Sequence, residues 1–380
     1  MKEAMRRWVA VLALFVSACS QAASPIASSS PTASATPAAS ATPVAVTTPV
    51  PDDLPLAKVD FSCHLPVLRT PGASYLGGFV TFPAATFAFD PKGGIHSDQS
   101  GVFSTDAAPV LHGAGVTLAG VAFYDLAQHR WVPAGPPQST SDGARYAYAT
   151  WGSVSPSTSR VHVVDVARAT EITFDVALSP NQNAMGFTVL DFDAAGIYLV
   201  ANQFEQLPGG VRLMDPATGA IRALAQVGPV FAVRDGYAWL ASIDPRDPSP
   251  PQLRRSGTSS DSIVRVNLAT GDKTTWFYRP GMEVWLMGFD SAGRPIVNVS
   301  DPNGSTDRSE TLVAGGPSGS DVLIHAGSLY LAQPQADGDR IWFGNYSGIY
   351  LFTAANGLQK VAAFNDLKTA EAVLPAGFCS

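Results

Sequence analysis

Short apolar segments separated by Asp- and Gly-containing turns recur along most of the chain and form two kinds of unit. The first unit is an apolar strand, a turn built on Asp and Gly, and a strand rich in Tyr, Trp, Ile and Val. Gly accepts positive φ and Asp caps its own turn, so each copy predicts a β-hairpin. Six copies occur, at 87–93, 140–148, 190–200, 233–240, 288–297 and 336–343.

A second unit alternates with the first and predicts another hairpin. In it, an alternating strand ends in Asp, Asn or Thr, and a short turn and a further strand follow. Two hairpins per cycle of roughly 40–55 residues make a four-stranded sheet, the blade of a β-propeller. The second unit also has six copies, the fifth of them degenerate, at 121–132, 161–174, 211–219, 263–271, 310–316 and 349–357.

The two units together predict an all-β fold, a six-bladed β-propeller that occupies residues 58–380. The number of blades has one alternative. Residues 61–82 belong to no copy of either unit, so a seven-bladed ring is the other arrangement compatible with the pattern.

Three copies carry a family resemblance. Ser141-Asp-Gly-Ala-Arg-Tyr-Ala-Tyr148, Val163-Val-Asp165 and Met214-Asp-Pro-Ala-Thr-Gly219 resemble repeats of TolB-like and WD40-like bacterial propellers, and the likeness spans about residues 80–365. The Trp-Asp dipeptide that ends typical WD40 strands is absent, so the TolB-like group is the closer match. This resemblance implies binding of a protein or other ligand in the cell envelope rather than catalysis, although a shared fold is weak support for a shared function.

The N-terminus has the layout of an export signal. Lys2, Arg6 and Arg7 precede an apolar run over 8–16 that is too short to span a bilayer. The following Val16-Ser-Ala-Cys19 resembles the lipobox of bacterial lipoproteins. That resemblance implies that residues 1–18 are a signal peptide and that Cys19 is acylated. The protein would then be anchored in the lipid bilayer of the cell envelope, facing the extracytoplasmic side. The alternative is a plain secretory signal that contains a cysteine.

Residues 19–57 predict a disordered tether between the lipid and the propeller. From 20 to 51 the chain is almost entirely Ala, Ser, Thr, Pro and Val, with no charged residue. Recurrent prolines favour extended backbone, and such a composition cannot bury enough apolar surface to fold.

The charge of the chain argues against one class of binding partner, and its cysteines indicate one candidate disulfide. The net charge is −7 and only 14% of the residues are charged, which argues against nucleic acid as a partner. Of the three cysteines, Cys63 and Cys379 flank the predicted propeller and are candidates for a disulfide in an oxidising compartment. Two unrelated buried thiols are the alternative.

The variable segments of the repeat indicate a binding face. Residues 96–119, 244–260 and 300–309 connect the second and third strands of predicted blades, on the face opposite the Asp/Gly turns. Insertions concentrated on one face of a repeat protein commonly mark its binding face, with the mouth of the channel beneath it. The candidate ligand-binding residues there are His112, Arg246, Arg254, Arg255, Asp301, Asn303 and Asp307.

Two of these loops also have simpler interpretations. The basic segment 244–255 is rich in proline and could be a stiff, solvated loop. The segment 301–307 places oxygen-bearing side chains at alternate positions, as calcium loops do, but its Gly304 and the lack of a closing Glu favour a turn-rich loop.

Local catalytic and cofactor motifs are absent from the sequence. It contains no Gly-x-Ser-x-Gly, phosphate-binding loop, dinucleotide fingerprint or metal-typical histidine spacing, so we predict no cofactor and no metal. Trp151, Trp239 and Trp342 follow turns on second strands and are predicted to lie in the inter-blade core. The favoured function is non-catalytic binding of a protein, peptide or glycan on the long-loop face. Propeller enzymes assemble carboxylates from several blades, so an extracytoplasmic hydrolase or lyase at the channel mouth is the alternative.

Overall fold

A computed structural model describes most of the chain after residue 53. The described residues are 54–69, 75–98, 101–104, 116–118, 122–152, 158–177, 184–203, 210–225, 227–228, 230–242, 260–302, 309–364 and 371–380. They form 27 β-strands and one short 3₁₀ helix, and the strands make six sheets of four or five strands and one separate hairpin. The predictions for residues 1–53, including Cys19, lie outside the described residues.

Four blades follow the predicted plan without exception. In each of blades three to six, four consecutive strands pair antiparallel in chain order, from the innermost strand A to the outermost strand D. The first unit of the repeat forms the A–B hairpin and the second forms the C–D hairpin, so the prediction is confirmed for these blades. Their strands are β11 (Ala184–Asp193), β12 (Gly196–Gln203), β13 (Val211–Met214), β14 (Ile221–Ala225), β15 (Val230–Arg234), β16 (Tyr237–Ser242), β17 (Ser262–Asn267), β18 (Lys273–Tyr278), β19 (Glu283–Phe289), β20 (Pro295–Ser300), β21 (Glu310–Val313), β22 (Val322–Ala326), β23 (Ala332–Asp337), β24 (Arg340–Gly344), β25 (Gly348–Thr353) and β26 (Gly357–Ala363).

The first blade is built from a segment that the repeat did not cover. Its sheet has the order β27-β1-β2-β3-β4, so the C-terminal strand occupies the inner position. Residues 61–82 thus supply strands of blade one, and the described residues contain no seventh blade. The five strands are β27 (Val373–Pro375), β1 (Cys63–Arg69), β2 (Tyr75–Phe82), β3 (Thr86–Asp98) and β4 (Gly101–Ser104).

The first copy of each unit therefore has a role other than the predicted one. Residues 87–93 do not turn a hairpin but lie within the continuous strand β3. Gly78 pairs with Phe89 while Leu76 pairs with Gly94, so four residues bulge out of the ladder. One of them, Asp90, accepts a hydrogen bond from the Trp131 indole at 3.0 Å. The Asp-Pro-Lys-Gly sequence here forms a β-bulge instead of a hairpin turn.

The second blade has an interrupted inner position. Its order is β10-β9-β8-β5, and the short β5 covers only one end of β8, while Ser139 bridges Tyr146 at the other end. Its strands are β5 (Val116–Leu118), β8 (Arg145–Gly152), β9 (Thr158–Asp165) and β10 (Thr170–Ala177).

Residues 121–132, predicted as the outer hairpin of blade one, instead contribute the separate hairpin of β6 (Phe123–Asp125) and β7 (Arg130–Val132). Its Trp131 is fully buried and packs in one cluster with Leu68 of blade one and Tyr146 of blade two. The hairpin thus serves as a wedge between two blades, where it buries both of its apolar sides.

The two ends of the propeller are joined covalently and by hydrogen bonds. Cys63 and Cys379, 316 residues apart, form the predicted disulfide with a Cα–Cα distance of 5.5 Å. The backbone of His64 donates to the carbonyl of Ser380 at 2.7 Å, which continues the β1–β27 pairing to the last residue. Closing the ring in this way covers the edge of β1 that would otherwise be free.

The core lies between neighbouring blades in six clusters of buried apolar side chains. Trp239 and Trp342 are 4% and 0% exposed, which confirms the predicted inter-blade positions for these two tryptophans. The side chain of Trp151 lies outside the described atoms.

Candidate ligand site at the channel mouth

A cavity of about 840 Å³ opens where the inner strands of three blades end in their A–B turns. It is lined by residues 188–194 of blade three, 231–235 of blade four, Gly288 and Phe289 of blade five, and 136–142 and Arg145 of blade two. Because these lie at A–B turns, the cavity opens on the face that carries the Asp/Gly turns, here called the turn face. The opposite face, with the B–C loops and the links between blades, is called the loop face.

The interrupted inner position of blade two forms one wall of the cavity. There the chain makes a 3₁₀ helix, η1 (Pro136–Gln138), in place of the regular end of an inner strand. Gln138 holds this turn against blade three: its Nε2 donates to the Val189 carbonyl at 3.0 Å, and its Oε1 accepts from the Gly135 amide. A side-chain amide of blade two thus hydrogen-bonds to the inner strand of blade three.

Asp191 is the one lining carboxylate that turn formation does not explain. At the A–B turns, Asp193 and Asp337 end their inner strands, Asp290 directly follows its strand and Asp235 lies in the turn itself, and each is followed by the glycine of its turn. Two residues earlier the four blades have Asp191, Gln335, Gly288 and Val233, respectively. A register shift between Val189 and Asp191 makes Leu190 an extra residue in β11. Bulges of this kind redirect neighbouring side chains and are frequent beside functional sites.

The surroundings of Asp191 favour its protonated form. Burial raises the pKa of this carboxyl to about 7, and the negative charges of Asp193 and Asp235 add to the effect. A hydrogen bond from the Phe192 amide and the positive charge of Arg234 act in the opposite direction without cancelling it. Asp191 therefore changes charge near neutral pH, unlike an ordinary surface aspartate.

Asp193 contributes charge to the cavity but is committed to its turn. Its Oδ1 accepts from the Ala195 amide at 2.7 Å, and the Tyr198 hydroxyl donates to its Oδ2 at 3.1 Å. Burial and the adjacent Asp193 carboxylate raise the pKa of Tyr198 to about 12, so this hydroxyl keeps its proton and the hydrogen bond at physiological pH.

Aromatic rings and two arginines complete the lining. The Phe231 residue is 41% exposed, and the Arg234 guanidinium lies 5.3 Å from the centroid of the Phe289 ring. Arg145 stacks on Phe192 in the same way, at 5.3 Å. The lining contains four aspartates against two arginines. The cavity thus combines apolar walls with a net negative charge.

A histidine and a carboxylate do meet in the protein, but on outer strands. Thr150 Oγ1 lies 2.9 Å from His162 Nε2, His162 Nδ1 contacts Glu171 Oε1, and the Tyr148 hydroxyl donates to the same oxygen at 3.1 Å. Burial, followed by the Glu171 charge, raises the pKa of Tyr148. Thr150 and His162 are buried on strands B and C of blade two, so this cluster forms a core network away from the channel mouth.

The structure describes one of the seven sequence-predicted ligand residues. Asp301 follows β20 directly and is half-buried on the loop face. The other six lie outside the described residues: His112, Arg246, Arg254, Arg255, Asn303 and Asp307. The predicted loop-face site therefore stays a prediction. Sequence analysis missed Asp191 because it was counted as part of a turn, although the Gly288, Val233 and Gln335 equivalents distinguish it.

The described residues form neither a cluster of metal ligands nor a membrane-spanning helix. Within those ranges, no three His, Cys, Asp or Glu side chains converge as a metal site would require. No helix in the described part of the chain has the length and apolar character needed to cross a bilayer.

Comparison with known proteins gives remote structural likenesses only. No protein-family model matches the sequence, and no curated protein matches it. Among solved structures it is similar to a prolyl endopeptidase, with 12% identity over 82% of this chain and a TM-score of 0.42, and it spans 50% of that protein's length. It is similar to a putative 6-phosphogluconolactonase from Bacteroides fragilis, with 12% identity, coverage of 79% and 96%, and a TM-score of 0.39. It is also similar to an oligogalacturonate lyase in complex with manganese, with 13% identity over 66% of this chain and 85% of that chain and a TM-score of 0.32. Similarities this remote do not bear on what the protein does.

Proposed function

We propose that this protein is a lipid-anchored, extracytoplasmic binding protein whose channel mouth on the turn face takes a ligand bearing a protonated amine, such as a basic side chain of a peptide. The observation that supports this most is Asp191, a partly buried carboxylate without a role in its turn, inside a concave, net negative and aromatic cavity. Pockets of this kind, mostly apolar with a few convergent polar groups, are typical ligand sites.

Binding suits the lining better than catalysis does. A hydrolase would need a nucleophile with its base, or an acid–base pair flanking the substrate. The described lining holds one carboxylate of raised pKa and no histidine, while Asp193 is occupied by its turn. A single observation favours the alternative, a hydrolase or lyase at this mouth: a pKa of about 7 is also suited to general acid–base work.

The binding proposal is tested with acetylated, amidated hexapeptides that contain one lysine, compared with the same peptides after Nε-acetylation of that lysine. The wild-type protein should bind the free-amine forms about tenfold more tightly at pH 8 than at pH 6, because Asp191 ionises between these values while lysine stays charged. Calorimetric titration at both pH values measures this.

Asp191→Asn should weaken binding at pH 8 at least tenfold, and its pH dependence should vanish. Asp339→Asn is the matched control, because Asp339 is an exposed turn aspartate of blade six outside the cavity lining. Equal affinity for the acetylated peptides, or unchanged binding in the Asp191 variant, would contradict the proposal. Cleavage of the peptides would favour the enzyme alternative.

The anchor is tested separately at Cys19. If this cysteine carries the lipid, Cys19→Ala should move the protein from the membrane fraction to the soluble fraction or leave it unprocessed, since one thiol carries the whole attachment. Fractionation with immunodetection, with Ser20→Ala as the neighbouring control, measures the change. Normal cleavage with unchanged membrane partitioning would refute lipidation.

A further inference from the structure

We infer that the loop face of blade six carries a second binding site, an aromatic platform of Tyr330 and Tyr346 that takes a neutral polysaccharide. Tyr330 lies in the link from β22 to β23, and Tyr346 lies in the loop between β24 and β25. Both segments belong to the loop face, so this site is separate from the channel mouth on the turn face.

The two rings are exposed and stack on one another. Tyr330 is 58% exposed and Tyr346 is 54% exposed, the centroids of their rings are 5.8 Å apart, and their planes are inclined by only 20°. Large aromatic side chains are normally buried in propeller blades, as Trp342 and Tyr350 are in this one. Two exposed, nearly parallel rings on different segments of the chain indicate a surface that binds a ligand.

Asn345 holds the platform in place. This residue is 5% exposed, and its Nδ2 donates to the Tyr330 carbonyl at 3.1 Å and to the Tyr350 hydroxyl at 3.2 Å. Its Oδ1 accepts from the amides of Ser347 at 2.7 Å and Gly348 at 3.1 Å. One buried side chain thus ties the backbone of Tyr330 to the turn that carries Tyr346, so the ring spacing is set before any ligand arrives.

Gly344 and Gly348 allow close packing at both ends of the turn that carries Tyr346. A Cβ at Gly344 would lie 1.8 Å from the Val373 carbonyl oxygen, and one at Gly348 would lie 2.0 Å from the Ala362 carbonyl oxygen. The turn is therefore packed against the C-terminal strand on one side and β26 on the other. The platform rests on the closure of the ring rather than on a free loop.

The chemistry around the rings favours an uncharged, hydroxyl-rich ligand. The segments 327–331 and 344–348 consist of Gly, Ser, Leu, Tyr and Asn, with no charged residue. Tyr, Ser, Gly and Asn are the residues that binding loops use for rigid contact area with adaptable hydrogen bonds. Aromatic faces stack on the C–H faces of sugar rings, and the phenol hydroxyls supply hydrogen bonds at the edges. Within these two segments, neither a charged peptide nor an acidic polymer would find a counter-charge.

Affinity electrophoresis of the full-length protein in detergent tests this site. Native gels contain mannan, xylan or laminarin as neutral probes, alginate as an acidic probe, or no polymer. At least one neutral polysaccharide should retard the wild-type protein. Tyr330→Ala and Tyr346→Ala should each raise the apparent Kd at least tenfold, because stacking on one ring is lost. Both side chains are exposed, so the variants should keep the wild-type melting temperature.

Ile172→Ala is the matched control, because Ile172 is 50% exposed on the outermost strand of blade two, which is not adjacent to blade six in the ring. It should be retarded like the wild type, and so should Asp191→Asn, which separates this site from the channel mouth. The inference is overturned if no neutral polysaccharide retards the protein, if only alginate does, or if the tyrosine variants are retarded unchanged. Binding of decaproline that requires both tyrosines, without polysaccharide binding, would assign the platform to proline-rich peptides instead.

Discussion

The aspartates of the hairpin turns accept backbone hydrogen bonds that hold these turns in shape. Asp215 Oδ1 accepts from the amides of Ala217 and Thr218 at 2.7 and 3.1 Å, and these bonds lower the pKa of its carboxyl. Asp290 accepts from the Arg294 amide at 2.7 Å in the same manner. Asp191 differs from Asp215, since burial and like charge raise the pKa of its carboxyl. An aspartate that lowers the stability of the protein without forming a turn is of the kind that proteins retain for function.

Asp191→Asn should stabilise the protein at neutral and alkaline pH. An unfolded aspartate has a pKa of about 3.9, whereas the folded pKa is about 7. Between these values the folded state holds a proton that the unfolded state has lost, so wild-type stability falls as pH rises from about 4 to 7. Asparagine avoids this loss, and we expect a gain of about 1–2 kcal/mol at pH 8, reduced by solvent screening, and none near pH 4.

Urea denaturation across this pH range measures the effect, with Asp339→Asn as the exposed control. If the Asp191 variant and the wild type show parallel stability curves from pH 4 to 8, the raised pKa is wrong.

At the scale of the element, the C–D turns of blades three and four are matched copies. Asp215-Pro-Ala-Thr-Gly219 and Asn267-Leu-Ala-Thr-Gly271 both close with a hydrogen bond from the glycine amide, at 2.9 and 2.8 Å. Both glycines have positive φ, 72° and 80°. Their surroundings differ, because a Cβ at Gly219 would lie 2.3 Å from the Phe174 ring of the preceding blade, while one at Gly271 would meet nothing within 4 Å.

Gly219→Ala should therefore be more destabilising than Gly271→Ala. Alanine at positive φ costs about 1–2 kcal/mol in either turn. At Gly219 the new methyl group also displaces Phe174, which adds about 1–3 kcal/mol of overpacking. Equilibrium urea unfolding of both variants measures the difference. Equal losses would mean that the turn of blade three does not pack against blade two as the structure shows.

At the scale of the whole molecule, closure of the ring depends on the two ends of the folded chain. Strand β27 itself pairs with β1 through three residues on each side, and a few backbone hydrogen bonds extend the contact to Ser380. The buried ion pair between Arg69 and Glu371, at 3.0 Å, and the disulfide reinforce this short contact. Blade one therefore depends on the disulfide to hold its sheet together, whereas the four strands of blades three to six are consecutive in the chain.

Cys63→Ser with Cys379→Ser should lower the free energy of unfolding by about 3–5 kcal/mol, since the link closes a very long loop in the unfolded chain. The wild-type protein under reducing conditions should lose the same amount, and the variant should not respond to reductant. Chemical denaturation with and without dithiothreitol measures both. Coincident transitions for the variant and the oxidised wild type would show that the link does not stabilise the ring.

Sequence alone determined the features that depend on local chemistry. Turn residues at regular intervals predicted the hairpins and the six blades, because Asp and Gly are required wherever the chain reverses. Two cysteines flanking the repeat predicted the disulfide. Tertiary structure decided the rest. It placed residues 63–82 and the C-terminal strand in one blade, since inner-strand pairing joins segments that are 300 residues apart in sequence.

Tertiary structure also decided which side chains are exceptional. Asp191 looks like a turn residue in sequence and becomes a carboxylate of raised pKa only when Asp193, Asp235 and the walls of three blades surround it. Tyr330 and Tyr346 lie on separate segments, and the hydrogen bonds of Asn345 tie together the two segments that carry their stacked rings. Burial and proximity arise from packing between blades, which a repeat pattern within one blade does not contain.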